Sequence, residues 1–223
     1  MHPAEIPDHI RERITTRRGR RHQFETIDPA RTALLVLDMQ NVFVEPDIGP
    51  TFIDGLEDIV PNINRLVGLC RAAGIPVIWT QHTASEEWRA WCNTLALPEK
   101  RREIIETMAE GSYGFQLFGG LQVEPMDLQI IKRRHSAFAG ESPLHASLQE
   151  AGRDALIVTG TMTNVCCETT TRDALQLNYN SIFVGDATGT RTDEEHMASL
   201  INLALYFSDV MTTDEVAALL ARG

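Results

Sequence analysis

The sequence predicts an α/β fold, a three-layer αβα sandwich around a mainly parallel sheet of about six strands. Three observations predict it. Short apolar runs recur along the chain, each bounded by turn or polar residues. Within a run the residues are apolar at consecutive rather than alternate positions, which suits strands covered on both faces. Between the runs lie helical patterns with apolar residues at three- and four-residue steps. Strands alternating with helices imply right-handed βαβ crossovers.

In chain order, residues 1–29 come first and are expected to form an N-terminal helix and arm ahead of one domain spanning 30–223. Arg11, Arg13, Arg17, Arg18, Arg20 and Arg21 make a basic run there, diluted by Glu5, Asp8 and Glu12. Acids within the run argue against a nucleic-acid arm or transit peptide, and for a solvated helix lying on the domain or on a neighbouring subunit. No apolar stretch of the secretory type follows Met1. Strands are expected at 33–37, 76–80, 128–131, 155–158 and 181–184, with a shorter sixth at 209–211. Helices are expected at 59–73, where Ile59, Ile63, Leu66 and Cys70 share a face, and at 142–151, where Leu144 and Leu148 do. Further helices fall at 166–177, 194–207 and 214–221. Residues 84–120 break the rhythm. They carry Trp88, Trp91, Tyr113, Phe115 and Phe118, an aromatic excursion suited to walling a pocket.

Composition narrows the function. A chain of 223 residues with 43% hydrophobic and 23% charged side chains is ordinary for a globular protein and can bury a core without disulfides or a structural metal. No apolar run reaches the ~18–20 residues of a membrane span. Lys plus Arg number 20 against 31 Asp plus Glu, a net charge of −11. That excludes a broad surface for nucleic acid or anionic membrane. Cys70, Cys92, Cys166 and Cys167 form no disulfide framework and are read as reduced thiols of a cytoplasmic protein.

Ligands of an open parallel sheet bind outside the carboxyl ends of its strands. The first strand ends in Asp38, the second in Thr80-Gln81-His82, the third in Lys132 and the fifth in Asp186. The fourth ends in Thr159-Gly160 and runs on into Cys166. An acid, a base and a thiol therefore emerge on one sheet edge. With Thr163 or Asn164 as its cap, the following helix would carry the Cys166 sulfur in its first turn. Unpaired N–H groups and the positive end of the helix dipole would favour the thiolate there, as would a Lys132 ammonium. Asp38 is placed to take the thiol proton. The alternative is that Cys166 is a small buried hydrophobe. Cys167, about 100° further round the helix, is expected to pack against the sheet.

The segments ALLVLDMQNVFV (33–44), IIKRRHSAF (130–138) and TGTMTNVCCETTTRDA (159–174) together resemble the isochorismatase-like cysteine hydrolases, nearest the ureidoacrylate and N-carbamoyl amidohydrolase branch. The resemblance runs from about residue 30 to the C-terminus. It implies the isochorismatase-like hydrolase fold and an Asp–Lys–Cys triad of Asp38, Lys132 and Cys166. It further implies an oxyanion hole from the backbone N–H groups of Met162 and Cys166, with a cis peptide between Thr161 and Met162. The activity implied is cleavage of a C–N bond in a small amide, ureido or carbamoyl compound through an acyl-enzyme on Cys166. Asp38 would be the acid and base, and Lys132 would stabilise the thiolate.

Pocket candidates are Gln40, Asn41, Phe43, His82, Tyr113, His135, Phe138 and Glu168, which flank the triad motifs or lie in the aromatic excursion. Glu168 would either accept hydrogen bonds from a ureido NH₂ or serve as a helix N-terminal carboxylate. Nicotinamidases of this family carry a metal site of one Asp and two His beyond the first strand; here Asp47 and Asp54 follow Asp38 but no His precedes His82, so the resemblance implies neither metal nor cofactor. The resemblance also implies a homodimer or homotetramer. Three other readings stand beside it: a nicotinamidase-like amidase, a thiol redox protein using Cys166 and Cys167, and a catalytically silent oligomeric binding module.

Overall fold

In a computed structural model, which describes residues 2–95 and 97–222, six strands form one parallel sheet. They are β1 (Thr32–Leu37), β2 (Val77–His82), β3 (Leu128–Lys132), β4 (Ala155–Thr161), β5 (Asn180–Gly189) and β6 (Asp209–Met211). Their order is β3-β2-β1-β4-β5-β6. The order reverses between β1 and β4, and this switch point is where a parallel sheet opens a crevice.

The side chains of β1 divide the core. Leu34 and Val36 enter one apolar cluster, and Ala33, Leu35 and Leu37 enter the other. The first cluster is roofed by α3 (Val60–Ala72) through Ile63, Leu66, Val67 and Cys70, and by α9 (Thr213–Leu220) through Val216 and Leu219. The second is roofed by α6 (Leu144–Glu150), α7 (Glu168–Gln176) and α8 (Asp193–Tyr206). Both faces of β1 are therefore dry, which explains its unbroken apolar run. Helix starts follow local chemistry: Thr192 accepts from the Glu195 N–H at 3.2 Å, and Thr212 and Glu215 form a capping box.

Two strand expectations need correction. β3 is the sheet edge and alternates, with Ile130 and Lys132 buried and Leu128, Gln129 and Ile131 exposed. An edge strand has one neighbour and incomplete cover, so only one side-chain set is buried. β5 does not end at Asp186 but continues to Gly189. Asp186 instead accepts from the Thr213 N–H at 2.7 Å and its hydroxyl at 2.9 Å, fixing the start of α9.

The N-terminal segment lies on the second face. Ile6, Ile10 and Ile14, the last two on α1 (Asp8–Arg18), join the second cluster. The α8 end receives Arg17 on the Leu205 carbonyl and Arg18 on the Ala204 carbonyl at 3.1 Å. The aromatic excursion folds as α4 (Arg89–Leu95), α5 (Pro98–Thr107) and turns. Trp91, Cys92, Ile104 and Met108 join the first cluster. The short helix α2 (Asn41–Val44) follows β1 directly.

Candidate active site

Asp38 stands at the end of β1 with φ 51°, a left-handed conformation that Asp tolerates better than most residues. Its carboxylate is buried, with Oδ1 accepting from the Thr80 hydroxyl at 2.6 Å. Oδ2 lies 2.8 Å from Lys132 Nζ. Lys132 closes β3 two strands away, with β2 between, and its long side chain reaches Asp38. Nζ also donates to the carbonyls of Arg134 and His135, both at 3.0 Å, and lies 3.2 Å from Cys166 Sγ. Carboxylate, ammonium and sulfur therefore meet at one point.

Cys166 reaches that point on a π-helical turn, Thr163–Cys167, rather than on the first turn of an α-helix. Thr163 and Asn164 do not cap it. Thr163 Oγ1 lies 2.9 Å from His196 Nδ1, and Asn164 Oδ1 accepts from the Thr190 hydroxyl at 2.7 Å. The Thr161–Met162 peptide is cis. Gly160, at φ 105°, lets β4 approach β1 so closely that a Cβ would fall on the Leu37 carbonyl.

Electrostatics correct the expectation of a resting thiolate. Burial pushes the Cys166 thiol up to about 12, with Lys132 pulling the other way and the Asp38 carboxylate adding to the rise by holding the thiol proton. For Lys132, burial lowers the pKa but Asp38 and Cys166 outweigh it, so the net shift is upward. At rest Cys166 is thus a neutral thiol, 3.2 Å from Lys132 Nζ. Cys167 is fully buried in the second cluster, its Sγ 3.9 Å from the Thr159 carbonyl. Burial holds its pKa well above the usual thiol value.

The thiol faces a cavity of about 260 Å³, of small-molecule size. Its walls include Phe43, His82, Trp91, Ile104, Met108, His135, Met162 and Arg191. His135 Nδ1 is 4.0 Å from Cys166 Sγ. Burial, then the nearby Lys132, pushes His135 down to about 4, and the same causes drive His82 well below its usual value. Both imidazoles are neutral in the neutral pH range. Arg191 is the one wall residue among those described that carries a permanent charge. Its guanidinium donates to the Phe52 carbonyl at 3.1 Å and the Pro50 carbonyl at 3.4 Å.

Of the expected pocket residues, Phe43, His82 and His135 line this cavity, together with Met162 and Cys166. Gln40 lies behind the wall, accepting from the His82 N–H at 2.7 Å and donating to the His82 and Phe115 carbonyls. Asn41 donates to the Tyr113 carbonyl at 3.0 Å. Tyr113 is exposed, its hydroxyl on Glu45 at 2.8 Å, and Phe138 packs on Tyr179 at 5.3 Å between ring centres. Neither is among the cavity's lining residues. Glu168 is committed to Arg172, at 2.6 Å, and to Ser199, at 2.5 Å, which favours its helix-terminal role over substrate binding. Arg191 lies two residues beyond Gly189, the end of β5, a position the sequence hides because a charged Asp186 interrupts the apolar run before the strand stops. Among the described residues no group of three or more His, Cys, Asp or Glu is arranged to hold a metal ion.

Residues 32–215 match the family model described as the isochorismatase domain. The chain is 33% identical over 216 residues to a ureidoacrylate amidohydrolase, RutB, of Methylobacterium radiotolerans, covering 88% of this chain and 83% of that one. It is 32% identical over 204 residues to RutB of Pseudomonas savastanoi pv. phaseolicola, covering 84% and 82%. Among solved structures, the fold is similar to that of a cysteine hydrolase from Pseudomonas syringae pv. phaseolicola. Here the TM-score is 0.81 and the identity 29%, over 90% of this chain and 97% of that one.

Proposed function

The chain belongs to the isochorismatase family, and from that premise we propose that it is a cysteine amidohydrolase that cleaves a C–N bond of a small ureido or carbamoyl compound bearing a carboxylate. The observation that carries this reading is the meeting of the Asp38 carboxylate, at 2.8 Å, and the Cys166 sulfur, at 3.2 Å, on the Lys132 ammonium, beside a cavity of small-molecule size. The relatives named ureidoacrylate amidohydrolase support the substrate class. So does Arg191, a guanidinium held by two backbone carbonyls with donors to spare.

Asp38 takes the Cys166 proton as sulfur attacks the carbonyl, so the thiolate forms only when it is consumed. The backbone N–H groups of Met162 and Cys166 receive the oxyanion. Asp38 returns the proton to the departing nitrogen, the C–N bond breaks, and an amine leaves a carbamoyl or acyl thioester. Asp38 then activates water, which releases carbamate or acid and restores the thiol. Lys132 pairs with Asp38 at 2.8 Å and steadies the sulfur's developing negative charge.

The test is an ammonia-release screen of ureido, carbamoyl and simple amide compounds, with intact-mass detection of acylated Cys166. We expect turnover of a carboxylate-bearing ureido compound and none in Cys166→Ala, whose fold should be kept. Amidase activity retained in that variant would end the covalent reading. Arg191→Ala should raise KM by about 10-fold or more for carboxylate-bearing substrates, the worth of a charged hydrogen bond, and leave neutral amides unaffected. An equal loss for both classes would remove Arg191 from substrate recognition.

A further inference from the structure

Residues 2–31 lie outside the segment that matches the family model, yet they reach the support of the nucleophile turn. The two polar side chains of that turn are held from outside it, Thr163 by His196 and Asn164 by Thr190. Thr190 and His196 flank the start of α8. His2 closes on both. Its Nε2 faces the Thr190 carbonyl at 2.9 Å, and its Nδ1 lies 2.6 Å from the Asp193 carboxylate. Its ring stacks on His196 at 4.8 Å between centres and 22° between planes.

His196 is fully buried, and its Nε2 has no hydrogen-bond partner. Burial holds its pKa at about 4, so the ring is neutral. A buried imidazole that leaves one nitrogen unsatisfied is unfavourable by itself. Its one hydrogen bond goes to the turn that carries Cys166. Between Thr190 and Thr192 sits Arg191, on the cavity wall. One short loop, fastened by His2, therefore adjoins both the nucleophile turn and the cavity wall.

Resting on Cys166 as the nucleophile, we propose that His196 and His2 are positioning residues: the N-terminal segment clamps the Thr190–Asp193 loop, and the clamp sets the Thr163–Cys167 turn so that the sulfur stays against Lys132 and Asp38. A displacement of about 1 Å at a reacting atom can cost ~100-fold in rate. A loosened turn moves the sulfur away from both partners, while the cavity walls that do not belong to this loop keep their places.

The test compares wild type with His196→Ala, His196→Asn, Thr163→Val and His2→Ala. It reads alkylation of Cys166 by iodoacetamide, followed by peptide mass, and turnover of the substrate found in the ammonia screen. Removing the clamp should slow alkylation several-fold, because Asp38 no longer receives the thiol proton. It should also lower kcat by about 10- to 100-fold, with KM little changed for neutral amides, which do not use Arg191 of the clamped loop. Asn, which can place a polar atom near the Nδ1 position, should recover most of both losses. His2→Ala lies at the surface end of the clamp and should give a smaller loss in a folded chain, so the inference stays testable if a His196 variant misfolds. Alkylation unchanged or faster in folded His196→Ala and Thr163→Val would overturn it. So would a loss confined to melting temperature. Wild type that releases no ammonia from any compound would sink the hydrolase reading instead, while alkylation still judges the clamp.

Discussion

At the residue scale the site is set by what burial does to a thiol. A cysteine near a lysine and a helix start reads in sequence as a thiolate, yet Cys166 is buried beside a carboxylate that prefers the protonated thiol. Burial disfavours the charged form, and here it outweighs the ammonium. Across the neutral pH range the resting enzyme should therefore show no ultraviolet thiolate band that Cys166→Ala removes. Such a band would mean that Lys132 dominates and that Asp38 is not the base. Asp38→Asn should lower kcat by at least ~100-fold, the scale of an acid–base contribution, because the amide cannot take the sulfur's proton. It also leaves the Lys132 ammonium without its counter-charge, so its urea midpoint should fall as well. Unchanged kcat in a folded variant would remove Asp38 from the chemistry. The sequence placed Asp38 and Lys132 at strand ends and Cys166 in the turn that follows the fourth strand, and the family resemblance linked them. Distances from a lysine to an acid two strands away are a property of the sheet order, which no single segment encodes.

At the element scale, the apolar runs located each strand, because the central strands β1 and β4 are covered on both faces and must be apolar throughout. The same rule overstated β3, whose exposed Ile131 looks identical to a buried one in sequence. It also truncated β5 at Asp186, where a charged side chain hid the last strand residues and the approach to Arg191. Thr163 and Asn164 read as helix caps because that is their commonest local use. Their partners, His196 and Thr190, are 33 and 26 residues away and invisible to local pattern. The end of β4 makes a sharper prediction. Its pairing with β5 shifts register between Val158 and Gly160, and at Gly160 the backbone adopts φ 105° against the Leu37 carbonyl. Gly160→Ala combines an unfavourable backbone with a clash that neither strand can relieve. It should cost about 3 kcal/mol or more in urea unfolding, or prevent folding. A variant of wild-type stability would show that the close β1–β4 approach is not required.

At the scale of the whole molecule, the N- and C-terminal parts are joined by charge. His22 Nδ1 lies 3.0 Å from Asp209 Oδ1 and its Nε2 3.5 Å from Glu215 Oε1. Asp209 also accepts from the Gln23 and Phe24 N–H groups at 2.6 and 3.1 Å. Hydrogen bonds to Asp209 and then Glu215 raise His22 to about 9, while the bond to His22 leads the causes that lower Glu215 to about 2. The two shifts act at opposite ends of the pH scale. His22 is raised above its unfolded value of 6.5, so its contribution is complete below that pH and is lost as pH rises through about 9. Glu215 is lowered from 4.5, so its contribution is complete above that pH and is lost as pH falls through about 2. The midpoint of urea unfolding should therefore decline on the alkaline side towards pH 9, well before lysines titrate. His22→Gln should lower the midpoint at neutral pH and flatten that decline, since the glutamine has no charge to lose. A wild-type profile flat from neutral pH to about 9, or a decline that survives His22→Gln, would show that the junction is not held by this ion pair.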